Sequence, residues 1–362
     1  MSSIGSDTLR LLTAQDSSAL LSAQCLLPLY TVADQLAPVM RGGLECRLST
    51  DNPQIDLQHC ITANPDAMRL LQAQCAELLQ QLDTLSAARP AWQTLHHFIT
   101  VYLTGNLPLA PHLSELWLEY DADRLQIPSP LIFLGLPQQA TMPNDLYSAV
   151  VNALNLLLPT GTQQPWHDNL RYCFSACPSS MFVSHLGLLP TRDTPAVRVN
   201  LKRFSGVTLD AYLQQLSWRY DTFALCQLLD KLLTMVDRVT VCLDIGQTIS
   251  PQVGLECILL RQPANEPRWI TFIDFLIDNA LCTTLKANDL LDWPRQVTPM
   301  NTQTAWPETL MLASFTQPYA CFSLFERRLS HIKLTWHPDK PLIAKGYLWF
   351  EHQWRQLQKS VI

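Results

Sequence analysis

The chain has 362 residues, of which 48% are hydrophobic and 15% are charged, so it can bury a sizeable core. Its net charge of -6 and the lack of a long basic run argue against nucleic acid as a partner, because phosphate binding usually needs a basic face. No stretch approaches the roughly eighteen consecutive apolar residues of a transmembrane helix, so we expect no membrane span.

The eleven cysteines indicate reduced thiols and not a disulfide framework. Their number is odd, and the amino terminus lacks the basic and apolar regions of a signal peptide. Cys46, Cys242 and Cys257 fall inside predicted strands, where a thiol behaves as a small apolar residue. Cys173 and Cys177 have the spacing of half a metal site, but no second pair lies nearby at a matching spacing. We therefore expect a cytoplasmic protein without a metal site of its own.

Helical patterns alternate with pairs of strands along the chain. Residues 7–40 show helical periodicity until Gly42-Gly43, and Asn64-Pro65 opens the next helix as a capping residue followed by proline. Further helices are predicted at 91–104, 143–158, 208–219, 222–236 and 267–279, in a short segment before Trp293, and near 308–315. The predicted strand pairs are 44–49 with 55–62, 113–120 with 129–136, 181–189 with 197–204, 238–245 with 253–260, and 331–337 with 344–351.

Polar and apolar residues alternate within these strands, as in Glu115-Leu116-Trp117-Leu118-Glu119 and Arg198-Val199-Asn200-Leu201-Lys202. A period of two places the charges on one face of the sheet and the aliphatic residues on the other. If helices cover the aliphatic face, the charged face points into a lumen, and closure removes the exposed strand edges. The sequence therefore predicts an α+β fold: a ten-stranded antiparallel β-barrel built from five αββα units and surrounded by helices. We expect one domain over residues 1–362, with the helical segment 1–40 packed on the barrel.

The same parity gives the side chains that should line the lumen. The first four hairpins contribute Glu45, Arg47, Asp56, Gln58, Glu115, Trp117, Glu119, Phe133, Ser184, Arg198, Asn200, Lys202, Thr240, Asp244 and Glu256. The fifth hairpin contributes Lys333, Thr335, Lys345, Tyr347 and Trp349. A lumen with charges of both signs is more typical of a reaction chamber than of a packed core.

This architecture, over roughly residues 40–352, resembles the ABBA-type prenyltransferases, which include the indole and phenol enzymes and the cyanobactin peptide enzymes. The best local match is the segment 193–202, in which Arg198 fits an arginine of the indole enzymes. Asn200 stands where a lysine is usual and Lys202 where a tyrosine is usual. Lys345-Gly346-Tyr347 is similar to the family's Lys-x-Tyr pairs, and Glu45 falls where those enzymes carry the acid that engages the acceptor.

The resemblance implies transfer of a prenyl group from an allylic isoprenoid diphosphate to an electron-rich acceptor, an aromatic small molecule or a peptide side chain. Fixed cations must surround the departing phosphates, aromatic faces must shield the allyl cation, and an acid must orient the acceptor or take its proton. The residues expected to bind the diphosphate are Arg198, Lys202, Lys333, Lys345 and Tyr347. Trp117 and Trp349 are the expected shield, and Glu45 and Glu115 are the expected catalytic acids. Any Mg²⁺ should bind through the diphosphate, because no Asp-rich cage is present.

A second interpretation comes from the balance of charges, because the predicted lumen acids match or outnumber the bases. The charges of such a lumen could form cross-strand ion pairs that stabilise the barrel. The barrel could then bind a peptide or a small cationic ligand without catalysis. The two interpretations differ in the sign of the ligand's charge. His331 and His337 share the lumen parity, but two histidines at the ends of one strand make a weak metal site.

Overall fold

The computed structural model describes residues 5–13, 19–49, 54–81, 89–122, 129–137, 144–158, 166–189, 196–317 and 319–356. Eleven strands are found in these ranges: β1 (Arg41–Arg47), β2 (Ile55–Thr62), β3 (Glu115–Tyr120), β4 (Leu131–Gly135), β5 (Phe182–Leu188), β6 (Val197–Lys202), β7 (Arg238–Ile245), β8 (Ile249–Ile258), β9 (Gln296–Val297), β10 (Cys321–His337) and β11 (Lys340–Gln356).

Ten of these strands form a closed antiparallel barrel, which confirms the predicted fold. Each barrel strand pairs with the next along the chain, and β11 returns to pair with β1 so that Glu45 lies opposite Tyr347. The two-residue strand β9 pairs with β10 beside Phe325. Closure leaves neither the first nor the last barrel strand as a free edge.

Helices lie before the first hairpin and between the hairpins, on the outer side of the barrel. They are α1 (Gly5–Thr13), α2 (Ala23–Ala33), α3 (Pro65–Gln81), α4 (Arg89–Leu103), α5 (Asn144–Leu157), α6 (His167–Ser175), α7 (Gly206–Gln215), α8 (Phe223–Leu233), α9 (Arg268–Asp278), α10 (Thr284–Asp292) and α11 (Glu308–Ser314). The helix α3 begins as predicted, because the backbone N–H of Ala67 donates to Asn64 Oδ1 at 2.8 Å. None of the helices in the described ranges is long and apolar enough to span a bilayer.

The outer face of the barrel at β3 and β6 is apolar and buried. Leu116, Leu118, Val199 and Leu201 alternate with the lumen residues of β3 and β6, and each of the four is at most 1% exposed. They belong to one hydrophobic core with side chains such as Trp92 of α4. This packing explains why the charged parity of the strands faces inward.

Two predictions about local structure are wrong. The helix predicted over residues 7–40 is divided into α1 and α2, and Gly42-Gly43 belong to β1 instead of ending a helix. A Cβ atom at Gly42 would lie 2.3 Å from the Gln58 carbonyl oxygen, so the missing side chain allows β2 to approach. The helix α6 was not predicted at all.

The amino-terminal segment contacts the last hairpin and α10. Arg327 of β10 donates to the Leu12 carbonyl at 2.7 Å, and the Leu20 N–H donates to Asp289 at 2.8 Å. A single domain over residues 1–362 stays a prediction.

In the described ranges, the strand ends that lead into the hairpin turns lie at one end of the barrel, and the strand ends that lead into the helical connections lie at the other. This follows from the topology, because both strands of each hairpin meet at the turn and the crossovers leave from the opposite end. We call these the turn end and the helix end of the lumen.

Candidate active site

Two cavities, each of about 420 Å³, occupy the lumen. The cavity at the helix end is lined by aromatic residues and by charges, including Trp117, Phe133 and Trp349. The cavity at the turn end is lined mainly by charged and polar residues. Four side chains line both cavities and define what we call the waist: Glu119, Arg198, Lys333 and Tyr347.

Glu45 lies in the turn-end cavity between two side chains of β11. Lys345 and the Tyr347 hydroxyl each donate a hydrogen bond to one of its carboxylate oxygens. Burial acts to raise the pKa of Glu45, but the charge of Lys345 and these hydrogen bonds outweigh burial and lower the pKa to about 2. The predicted acid is therefore held as a carboxylate in a fixed ion pair.

Arg198 forms a two-pronged ion pair at the waist. Its Nε and Nη2 donate to the two carboxylate oxygens of Asp244 at 2.7 and 2.8 Å, and the two residues lie opposite each other on β6 and β7. This pair uses two of the five N–H donors of the guanidinium. The remaining donors are fixed in direction by the planar group.

The Lys333 side chain passes over Gly254 to reach the waist. Its ammonium lies 3.4 Å from Glu256 Oε1, and a Cβ atom at Gly254 would lie only 2.8 Å from Lys333 Cε. Glu256 Oε1 also accepts from Asn200 Nδ2 at 3.4 Å and from the Cys242 thiol at 3.2 Å. Burial opposes ionisation of Glu256, but the charge of Lys333 is the main cause that lowers its pKa to about 2.

Glu115 lies in the helix-end cavity and is also paired. It contacts Arg41 at 3.0 Å and His185 Nε2 at 3.3 Å. Burial acts to raise its pKa, while hydrogen bonds from His185 and Trp117 and the charge of Arg41 lower it to about 2. The catalytic roles of Glu45 and Glu115 stay predictions.

His185 was not among the predicted lumen residues because a β-bulge changes the parity of β5. Val183 pairs with Leu201 and His185 pairs with Asn200, so Ser184 is the extra residue of the bulge. The bulge brings His185 into the helix-end cavity in place of the predicted Ser184. Ser184 is 3% exposed and donates to the Asn200 carbonyl.

Aromatic rings form much of the wall of the helix-end cavity. The guanidinium of Arg41 lies 5.7 Å from the Trp117 ring, and that of Arg328 lies 5.3 Å from the Trp349 ring. The ring of His331 stacks on Tyr347 with 4.1 Å between their centroids. Both predicted shielding residues therefore face the same cavity.

The five predicted diphosphate ligands do not form one ring. Arg198, Lys333 and Tyr347 meet at the waist, whereas Lys345 lines only the turn-end cavity. Lys202 lines neither cavity: its ammonium lies 5.9 Å from the Phe182 ring. Burial and then the nearby charge of Arg238 lower the pKa of Lys202.

Two basic residues of the helix-end cavity were missed by the sequence analysis, Arg41 and Arg238. The strand predicted at 44–49 begins three residues after the observed start of β1 at Arg41. Extending the parity of Glu45 back through Gly43 would have placed Arg41 in the lumen. In the described ranges, no group of three or more His, Cys, Asp or Glu side chains is arranged to hold a metal ion, and all eleven cysteines are free.

The chain is similar in fold to several solved structures. AnaPT from Neosartorya fischeri shares 13% sequence identity at a TM-score of 0.58, with 96% of this chain and 94% of that chain covered. This chain therefore has the same fold as AnaPT over nearly its full length. Prenyltransferase PriB in its apo form shares 13% identity at a TM-score of 0.53 and covers 95% of this chain and 94% of its own.

A third structure is 5-dimethylallyl tryptophan synthase from Streptomyces coelicolor in complex with DMASPP and Trp. It shares 13% identity at a TM-score of 0.51, and the match covers 95% of this chain and 93% of that chain. No family profile and no curated protein matches the sequence. The likeness to the solved structures confirms the barrel architecture inferred from the sequence.

Proposed function

We propose that the protein transfers a prenyl group from an allylic isoprenoid diphosphate to an electron-rich aromatic acceptor. The observation that carries this proposal is the arrangement at the waist, where fixed cations lie directly beneath an aromatic-walled cavity. Proteins with the same fold support it: one structure of PriB is a binary complex with product diphosphate, and the Streptomyces coelicolor synthase is a complex with DMASPP and Trp.

The diphosphate is proposed to bind at the waist. Arg198 keeps three N–H donors beyond those that hold Asp244, and the Lys333 ammonium and the Tyr347 hydroxyl lie on the facing strands. Negative charge grows on the departing phosphates as the carbon–oxygen bond breaks, so cations already fixed at that position stabilise the transition state. Lys345 and Lys202 are proposed to act at longer range from the two ends of the lumen.

The allyl cation is proposed to form in the helix-end cavity, where Trp117 and Trp349 face it. Aromatic faces attract a cation without forming a bond to it, and they exclude the water that would otherwise capture it. The acceptor would then stack in the same cavity beside Phe133. An aromatic side chain of a peptide has the same reacting ring as a free aromatic acceptor, so we propose both as acceptor classes. Any magnesium is expected to bind through the diphosphate oxygens.

A second function is favoured by the charges of the turn-end cavity. Its lining contains the acids Glu45, Asp56, Glu119, Asp121 and Asp244 and the bases Arg47, Arg198, Lys333 and Lys345. This small excess of acid is what a barrel that binds a cationic ligand or peptide without catalysis would need.

A transfer assay separates the two functions. Purified protein is incubated with dimethylallyl or geranyl diphosphate and with indole, tryptophan, tyrosine or peptides that contain them, with and without magnesium. Mass spectrometry measures prenylated product, and a coupled assay measures inorganic pyrophosphate. The transferase predicts both products in equal amounts, whereas a barrel that only binds cations gives neither.

A further inference from the structure

Glu119 occupies the one layer of the lumen that both cavities share. It follows Glu115 and Trp117 on the same face of β3, and its side chain lines the helix-end and the turn-end cavity. The residue is 8% exposed. An acceptor resting on Trp117 would therefore have this carboxyl group directly below it, on the side of the waist cations.

Glu119 differs in its partners from the four lumen acids that form ion pairs. The paired acids and their basic partners are Glu45 with Lys345, Glu115 with Arg41, Asp244 with Arg198, and Glu256 with Lys333. Glu119 instead accepts a hydrogen bond from the neutral amide of Gln58, whose Nε2 lies 3.0 Å from Oε2. In the described part of the chain, no basic side chain lies within ion-pairing distance of Glu119.

We propose that Glu119 is the catalytic base that takes the proton from the acceptor, an inference that rests on the proposed function. The donor's carbon–oxygen bond breaks and its electron pair leaves with the diphosphate. The acceptor's π electrons then form the new bond to the allyl carbon. The proton on the attacked ring carbon passes to the Oε1 oxygen of Glu119, and the electron pair of the broken C–H bond restores the aromatic ring.

The paired acids are less suited to this step. Protonation of Glu45 would weaken the charge-assisted hydrogen bonds from Lys345 and Tyr347 and leave the partly buried Lys345 ammonium without its counter-ion. Protonation of Glu119 leaves the Gln58 amide with a hydrogen bond to a neutral acid, and no cation loses its partner. Burial and then the charge of Glu45 raise the pKa of Glu119, whereas the pKa values of the paired Glu45, Glu115 and Glu256 are lowered to about 2.

The test is a kinetic isotope effect. Wild-type protein and Glu119→Gln are assayed with dimethylallyl diphosphate and with indole, tryptophan or tyrosine, each with hydrogen or deuterium on the aromatic ring. We expect Glu119→Gln to reduce transfer by about a hundredfold or more and to show a primary isotope effect that the wild type lacks, because proton removal becomes rate-limiting. Pyrophosphate affinity should stay within about threefold of the wild-type value, because the waist cations remain in place.

Matched variants on the same lumen surface make the assignment falsifiable. Glu45→Gln and Glu115→Gln should reduce transfer without producing an isotope effect, and circular dichroism should confirm that all three variants fold. An isotope effect in Glu45→Gln or Glu115→Gln, or its absence in Glu119→Gln, overturns the assignment while the proposed function stands. A wild-type protein that transfers no prenyl group to any of these acceptors overturns both.

Discussion

Asp56 should destabilise the folded protein as the pH rises, and Asp56→Asn should remove this effect. Asp56 is 3% exposed and lies opposite Glu45 in the barrel, with Glu119 and Asp121 as further acidic neighbours. Burial is the main cause that raises its pKa from 3.8 to about 7, and these carboxylates add to the effect. An asparagine keeps the Oδ1 oxygen that accepts the Ala122 N–H at 3.1 Å, but it carries no ionisable group.

The sign and size of the effect follow from proton linkage. Between pH 4 and 7, on the order of one more proton is bound at residue 56 in the folded chain than in the unfolded chain, so stability falls as the pH rises. A pKa difference of about 3 corresponds to roughly 4 kcal/mol when both states are fully ionised. Partial relaxation of the site reduces this figure. We expect the free energy of unfolding of Asp56→Asn, relative to that of wild type, to increase by about 2 to 4 kcal/mol between pH 5 and pH 8.

Urea unfolding of both proteins at pH 5, 6, 7 and 8 measures this gain directly. Glu256→Gln is the matched control, because the pKa of Glu256 is lowered to about 2. The contribution of the ionised carboxylate to the free energy of unfolding is therefore lost only as the pH falls below 4.5. The difference between Glu256→Gln and wild type should therefore stay constant from pH 5 to 8. If the difference between Asp56→Asn and wild type is also constant over this range, Asp56 is ionised in the folded protein and the electrostatic reasoning is wrong.

Two further predictions concern the waist and the aromatic wall. Gly254→Ala should displace the Lys333 side chain and weaken pyrophosphate binding about tenfold by calorimetry, as expected when one charge-assisted hydrogen bond is lost. Gly346→Ala, which introduces a similar clash on the outer face of the barrel, should lower the melting temperature without changing this affinity. Trp117→Ala and Trp349→Ala should increase the ratio of prenyl alcohol to prenylated product in chromatographic analysis, because water reaches the allyl cation. An unchanged ratio would exclude these rings as the shield.

The barrel could be predicted from the sequence because strand parity is a local property. In β3 and β6 each polar residue faces the lumen and each aliphatic residue faces the helices, so a short stretch such as Glu115–Tyr120 already defines both faces. Five such hairpins between helices leave few ways to bury the aliphatic faces other than closure. The same local signal placed Glu45, Arg198 and Lys333 in the lumen.

The contacts that define the site could not be predicted in the same way. Lys345 and Glu45 are 300 residues apart in the sequence and meet only because β11 closes on β1. A single extra residue at Ser184 reverses the parity of β5, and no composition signal marks that bulge. Strand register decides which acid each central base pairs with and how far along the barrel each base lies. For this reason the five predicted diphosphate ligands are spread along the barrel and do not form a ring.

The sign of the charge that the lumen binds is the most direct test of the account. Isothermal titration of wild-type protein and of Lys333→Met with pyrophosphate, with and without magnesium, measures it, and tetramethylammonium serves as a small cation for comparison. We expect wild type to bind pyrophosphate more tightly than tetramethylammonium, and Lys333→Met to bind pyrophosphate about tenfold or more weakly than wild type. Binding of tetramethylammonium without any binding of pyrophosphate would contradict the transferase and establish a barrel that takes cations.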